Sequence, residues 1–367
     1  MDTTEMRDRL QQKASEVLYR DKRLLCQWAT GVGKSRVVLY FLHEHPESSC
    51  LILVPEQNNI ENWEEEFSKF SIPMDRVRVA CYASFKNFKD TDWDLLVFDE
   101  VPHLDTEIRK EIGKYVHGKH ILALGAVVSD DEIAALEKLY GQFSRSFIGL
   151  KRAISMGLLP TPKVSVIHMK LQNIKKTQWF KGKAYTDKEY YDYLQAQVDA
   201  AVQTFNANSS EFNRQRMYRA GNERKRFLGR IKTDMVKKLC DGFEEKGRRF
   251  LCFCSSIKQT EDLNKEHSFT SKTPASMKLL EKFNNHTINS LYVVGKLIEG
   301  QNLKDIECGI IAQLGGTERI TVQACGRIMR SKNPEIYIPV FDDTKDDSFL
   351  YGITSNIPEE YISHYNF

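Results

Sequence analysis

The chain has 367 residues, 41% of them hydrophobic and 28% charged, which excludes a disordered or fibrous protein and allows about two to three domains with buried cores. Its net charge of +3 is too small to name a nucleic-acid partner, so the distribution of charge matters more than the total. No apolar run has the length of a membrane span, and the polar start Met1-Asp2-Thr3-Thr4-Glu5-Met6 does not read as a signal peptide; a cytoplasmic protein without a membrane partner is expected. Residues 7–22 are polar and helix-prone, with Gln11 and Gln12 just ahead of Arg23-Leu24-Leu25-Cys26-Gln27, a short buried strand. Trp28-Ala29-Thr30-Gly31-Val32-Gly33-Lys34-Ser35 follows, and then Arg36-Val37-Val38-Leu39-Tyr40-Phe41-Leu42, apolar enough for a buried helix. Strand, glycine-bearing loop and helix start are the context of a phosphate-binding loop. Loop N–H groups and the helix N-terminus favour phosphate there. Lys34 would reach the β- and γ-phosphates of ATP, and the Ser35 hydroxyl would hold Mg²⁺. Trp28 stands where the strict pattern has its first glycine.

Leu51-Ile52-Leu53-Val54 has the all-apolar character of a parallel strand buried on both faces. A helix is predicted over 59–70, with Ile60, Trp63, Phe67 and Phe70 on one stripe, and further strands over 77–82, 94–100 and 119–124. Strands alternating with helices imply an α/β domain with a parallel sheet over residues 1–150. Residues 151–163, with Gly157, Pro160 and Pro162, read as a crossing between domains, and 164–367 as a second α/β domain. Its strands are predicted at 164–169, 249–254, 290–294, 307–312 and 336–340. A basic helical segment, 186–246, opens on the capping box Thr186-Asp187-Lys188-Glu189. Tyr190, Leu194, Val198, Val202 and Phe205 follow at helical spacing, better suited to packing between helices than to base stacking. Phe227, Ile231, Met235, Leu239 and Phe243 predict one apolar helix face. Arg224, Arg226 and their basic neighbours between 214 and 232 are expected to project elsewhere, toward phosphates. Cys26, Cys50, Cys81, Cys240, Cys252, Cys254, Cys308 and Cys325 form no Cys-x-x-Cys pair and suit reduced core thiols.

Asp99-Glu100-Val101-Pro102-His103 closes a predicted strand 65 residues after Lys34. In a phosphate-loop enzyme Asp99 would bind Mg²⁺ and Glu100 would polarise the attacking water. Near the other end, Gln323, Arg327 and Arg330 of Gln323-Ala324-Cys325-Gly326-Arg327-Ile328-Met329-Arg330 share one helix face, which suits arginine fingers. With these three constellations in order, the chain resembles a superfamily-2 helicase of the DExH-box type, closest to the compact helicases of phages and restriction systems. Motif I is 29–35, and motif II runs from Asp99 to His103. Val54-Pro55-Glu56-Gln57 resembles motif Ia, and Tyr82-Ala83-Ser84-Phe85 motif Ib. Cys254-Ser255-Ser256-Ile257-Lys258 resembles motif IV, 296–303 with Asp305 resembles motif V, and 323–330 motif VI.

The resemblance implies two tandem RecA-like domains with parallel sheets, ATP and Mg²⁺ in a cleft between them, and single-stranded or branched nucleic acid, DNA rather than RNA, across their tops. It implies nucleic-acid contacts at Pro55, Gln57, Ser84, Ser255 and Asn302, and nucleotide contacts at Gly300 and Asp305. Gln323, Arg327 and Arg330 would be catalytic, and either Gln11 or Gln12 would read adenine. Two departures stand out. Pro102 occupies the usual place of the motif II histidine, with His103 one residue later. Motif III, which carries hydroxyls in the family and couples nucleotide state to strand separation, is Gly125-Ala126-Val127 here. The readings in play are a helicase or translocase, an ATP-gated clamp or annealing factor, an RNA helicase, and an unrelated phosphate-loop kinase. The last leaves the second α/β domain without a role.

Overall fold

The computed structural model describes residues 3–89, 91–104, 106–270, 276–294, 303, 305–314, 328 and 331–367. The chain divides after Pro160 into two compact units. The first unit contains α1 (Thr3–Asp21), β1 (Arg23–Trp28), α2 (Arg36–Glu44), β2 (Cys50–Val54), α3 (Gln57–Lys69), β3 (Val77–Cys81), β4 (Asp92–Phe98), α4 (Thr106–Glu111), β5 (His117–Gly125), α5 (Asp130–Tyr140), β6 (Ser144–Ile148) and α6 (Leu150–Ser155). Among the described residues its strands form one six-stranded parallel sheet in the order β3-β2-β4-β5-β1-β6. Every residue of β2 is buried, as an all-apolar central strand requires. Trp28 belongs to the core at the end of β1, its indole N–H donating to Ser146 Oγ at 2.9 Å. Much of the segment expected to cross between domains packs here instead. Ala153, Ile154, Leu158 and Leu159 are buried, and Arg7 donates to the Leu158 carbonyl.

The second unit contains β7 (Lys163–Met169), β8 (Gln178–Phe180), β9 (Lys183–Tyr185), α7 (Asp187–Ala207), α8 (Glu211–Ile231), α9 (Thr233–Glu245), β10 (Phe250–Cys254), α10 (Ile257–Asn264), β11 (Ser268–Phe269), α11 (Ser276–Asn284), β12 (Ser290–Val294), β13 (Cys308–Ile311), β14 (Glu335–Phe341), α12 (Lys345–Thr354) and β15 (Ile362–Asn366). Seven of its described strands make a parallel sheet in the order β11-β12-β10-β13-β14-β7-β15, while β8 and β9 pair as an antiparallel hairpin. The capping box at Thr186 is present, with both of its reciprocal hydrogen bonds, and starts α7. The tyrosines pack against one another and neighbouring rings: Tyr190 meets Phe227 edge-on with centroids 5.0 Å apart. The single apolar face expected over 227–243 is split between α8 and α9 at Lys232. That ammonium is fully buried against Asp346, at 2.5 Å. No described helix is long and apolar enough to cross a membrane.

Candidate nucleotide site and nucleic-acid face

Because all strands of the first sheet are parallel, the loops after β1, β2, β3 and β4 leave its carboxyl edge, where open parallel sheets take their ligands. The loop after β1 turns through Gly31 at φ +92° and Gly33 at φ +94°, a region that favours glycine. It is also clamped. A Cβ on Gly31 would come 3.0 Å from Leu159 Cδ2, and one on Gly33 would come 2.4 Å from Gln11 Nε2. Gln11 is buried and donates to the carbonyls of Val32 and Gly33, both at 3.2 Å, whereas Gln12 is exposed. The fold thus brings Gln11 to the loop, with its Oε1 buried and lacking a hydrogen-bond partner among the described residues. Lys34 Nζ donates to the Trp28 carbonyl at 3.3 Å and stands 3.8 Å from Glu100 Oε1. Ser35 makes no capping bond with its side chain at the start of α2, which leaves the hydroxyl for a ligand.

β4 ends at Phe98, so Asp99 and Glu100 stand in the turn beyond the strand rather than in it. Trp63 Nε1 donates to Asp99 Oδ2 at 2.9 Å, and the Tyr82 hydroxyl donates to the Asp99 carbonyl at 2.7 Å. Loss of hydration, with Glu100 alongside, pushes the Asp99 carboxyl up to about 6. Glu100 adopts the left-handed conformation, φ 51° and ψ 58°, which is strained for a residue with a Cβ. Its Oε2 is buried with no hydrogen-bond partner among the described residues. Two carboxylates facing one lysine leave negative charge uncompensated, and an oxygen-rich site of this kind suits Mg²⁺. Ser35 and Asp99 are the residues that would hold it. Trp63 reads from sequence as core and Tyr82 as a strand end. Their role in fixing Asp99 has no local motif, because it arises only when α3 and the turn at 82–88 fold over the β4 end.

Gly125 ends β5. A Cβ there would lie 2.6 Å from Val128 Cγ2 and 3.3 Å from Pro102 Cδ. The two departures from the helicase pattern therefore meet: the turn carrying Pro102 leans on the bare backbone of Gly125.

Of the expected nucleic-acid residues, Pro55 and Gln57 follow β2, and Ser84 follows β3, all at the carboxyl edge of the first sheet. In the second unit Ser255 follows β10, its N–H and Oγ donating to Gln259 Oε1 at 2.8 and 2.9 Å. A Cβ on Gly229 would lie 2.2 Å from Ser255 Oγ, so α8 rests directly on this turn. Beside it a cavity of ≈ 760 Å³ is lined by Arg226, Arg230, Lys258, Ser255, Phe180 and Tyr190, among others. Arg226 is exposed, as expected. Arg224 is not: it is 7% exposed and donates to Gln195 Oε1 at 2.5 Å, because it falls on the side of α8 that packs against α7. Asp305 is also displaced from its expected role. It precedes β13, at the amino edge of the sheet, with its carboxylate 3.2 Å from His286 Nε2 and away from the loops that follow the strands. Gly300, Asn302, Gln323, Arg327 and Arg330 lie outside the described residues.

The family model for DEAD/DEAH box helicases matches residues 8–97. Comparison with curated protein sequences gives no match. Among solved structures, the Pyrococcus furiosus Hef helicase domain is similar with a TM-score of 0.55 at 13% identity, over 92% of this chain and 97% of that one. S. cerevisiae Dbp5, bound to RNA and ADP BeF3, gives 0.56 at 10% identity, over 94% of this chain and 85% of that one. The ATP-dependent Type ISP restriction-modification enzyme LlaBIII, bound to DNA, gives 0.57 at 14% identity; the match spans 97% of this chain but 31% of that enzyme. At these identities the likeness is one of fold: two RecA-like α/β units, each with a parallel sheet. The sequence likeness to DEAD/DEAH box helicases thus covers residues 8–97, and the likeness to the solved helicase structures, over both units, is one of fold.

Proposed function

We propose that this chain is a nucleic-acid-dependent, Mg²⁺-requiring ATPase that moves along or opens DNA. The observation that carries the reading is the clamped glycine loop with Lys34 set 3.8 Å from Glu100, the single lysine among the described residues facing the Asp99 and Glu100 carboxylates. In this reading the backbone of Gly31 and Gly33 cradles the phosphates, and Lys34 meets the γ-phosphate. Glu100 takes the proton of the attacking water, and Gln11 faces the base. Bound Mg²⁺ supplies neutralisation of the phosphate charge from Ser35 and Asp99. By the helicase pattern of the sequence, Gln323, Arg327 and Arg330 would be catalytic, and Pro55, Gln57, Ser84, Ser255, Asn302 and Arg226 would contact the strand.

A second reading, an ATP-gated clamp or annealing factor that hydrolyses ATP with little strand separation, is supported by the Gly125–Pro102 packing. It leaves no hydroxyl at that junction to report the nucleotide state. ATPase assays with single-stranded DNA, duplex, forked DNA and RNA, run beside a strand-displacement assay, distinguish the readings. Stimulation by single-stranded or forked DNA with displacement supports the first, and stimulation without displacement supports the second. Stimulation by RNA alone makes the chain an RNA helicase, and no stimulation by any of the four overturns nucleic-acid dependence.

A further inference from the structure

Residues 170–186 carry Lys170, Lys175, Lys176, Lys181 and Lys183 and no aspartate or glutamate. All five lysines are exposed, and among the described residues none has a carboxylate partner. Within this stretch β8 and β9 form a hairpin closed by Lys181 at φ 48° and Gly182 at φ 75°, two left-handed residues that make the tight turn matching strand twist. Alternation along β8 turns Gln178 and Phe180 to one face and Trp179 to the other. The inner face is anchored. Gln178 Nε2 donates to Asp187 Oδ1 at 2.6 Å, and its Oε1 accepts from Arg230 Nη2 at 2.5 Å. Phe180 packs on Tyr190 and Tyr193. The approach to the hairpin is held as well: the Gln172 side chain bonds the backbone of Ile174 and Lys175 and the Thr177 hydroxyl.

The outer face is bare. Trp179 is 76% exposed, and the residue paired across from it is Ala184, too small to cover an indole. Trp28, Trp63 and Trp93 are 1%, 3% and 8% exposed, so Trp179 is the one tryptophan of the chain's four left open to solvent. Lys181 and Lys183 lie over the Phe180 and Tyr185 rings, at 5.3 and 5.2 Å, so the hairpin holds cations on its inner face and an open indole on its outer one. An exposed aromatic on an anchored support within a lysine-rich stretch has the make-up of a base-stacking platform with phosphate contacts along its edge.

We infer that the β8–β9 hairpin is a contact site for unpaired nucleic acid, with a base stacked on Trp179 and the lysines on the flanking phosphates. The inference rests on the proposed function and extends it to a surface that no helicase motif of this chain includes. Cations with an indole also suit an anionic membrane. Nucleic acid is favoured because the proposed function already brings a strand to this chain and because the hairpin's Phe180 forms one wall of the cavity lined by Arg226, Arg230 and Lys258, which places phosphate-binding groups beside the hairpin.

The test uses the whole chain and its tryptophan emission, with iodide as quencher and either a twenty-residue oligothymidylate or phosphatidylserine vesicles as probe. The oligonucleotide should shield Trp179 from iodide, and vesicles should not. Trp179→Ala should weaken oligonucleotide binding about tenfold, while Trp179→Phe, which keeps a stacking ring, should retain most of it. Lys181→Ala with Lys183→Ala should lower the salt slope by about 0.7 for each phosphate no longer neutralised. Tight oligonucleotide binding with Trp179 still open to iodide, and with Trp179→Ala unimpaired, overturns the hairpin site and leaves the proposed function standing. Absence of oligonucleotide binding by the unmodified chain overturns both. Shielding by vesicles alone assigns the hairpin to a membrane surface and overturns the inference.

Discussion

At the scale of single residues, the candidate site separates side chains by what their neighbours allow. Glu100 has one oxygen near Lys34 and the other unpartnered, so Glu100→Gln should leave nucleotide affinity in place and cut turnover about a hundredfold or more. Lys34→Ala should instead weaken nucleotide binding as well, and titration with a fluorescent ATP analogue separates the two effects. Elsewhere in the sheet Asp94 is held down to about 2 by Lys119 and by Ser49, which ties the start of β2 to β4. A carboxyl whose folded value lies below its ordinary 3.8 contributes stability that is present above that value and lost as pH falls toward 2. Asp94→Asn should therefore lower the melting temperature near neutrality and flatten its fall between pH 4 and pH 2. An unchanged acid limb in thermal melts would remove Asp94 from the account.

At the scale of elements, two close approaches set what the motifs can do. Gly125 lets the end of β5 pass under Pro102, so Gly125→Ser must move Val128 or the turn that carries Glu100. The expected cost is about 1–3 kcal/mol in denaturant unfolding, an overpacking penalty. A hydroxyl placed there is not a simple restoration of the helicase motif. The basic helix α8 shows the same dependence on packing. Arg224 and Arg226 differ by two positions and fall on opposite environments, one bonded to Gln195 and one in solvent. Arg226→Ala should lower the salt slope of nucleic-acid binding with little change in melting temperature, whereas Arg224→Ala should do the reverse. Equal effects of the two substitutions on salt dependence would contradict this division.

At the scale of the whole molecule, each unit has its own parallel sheet and core, and the second carries a buried ionic junction. Lys232 and Asp346 are both 0% exposed, and Gln313 bridges them, accepting from Lys232 at 2.9 Å and donating to Asp346 at 2.8 Å. This ties the α8–α9 break to the ends of β13 and β14, joining segments far apart in sequence. Removing one charge strands the other, so Lys232→Met should cost about 3–5 kcal/mol of the second unit's stability. Lys232→Met with Asp346→Leu should recover much of the loss. The first unit's transition should not move, which calorimetry of the whole chain can resolve.

The sequence by itself determined the two parallel α/β units, because strands buried on both faces must be apolar throughout, and runs such as Leu51-Ile52-Leu53-Val54 declare that locally. It also marked the glycine loop and the carboxylate pair proposed to hold the nucleotide, since that chemistry demands fixed residue types at short spacing. The tertiary structure alone decided that Gln11 rather than Gln12 meets the loop and that Arg224 is packed away. It alone made strands of the mostly exposed 362–366 and of the hairpin at Trp179. Those outcomes depend on which distant surface covers a side chain, or offers an edge to pair with, and no local pattern of apolar and polar residues encodes that.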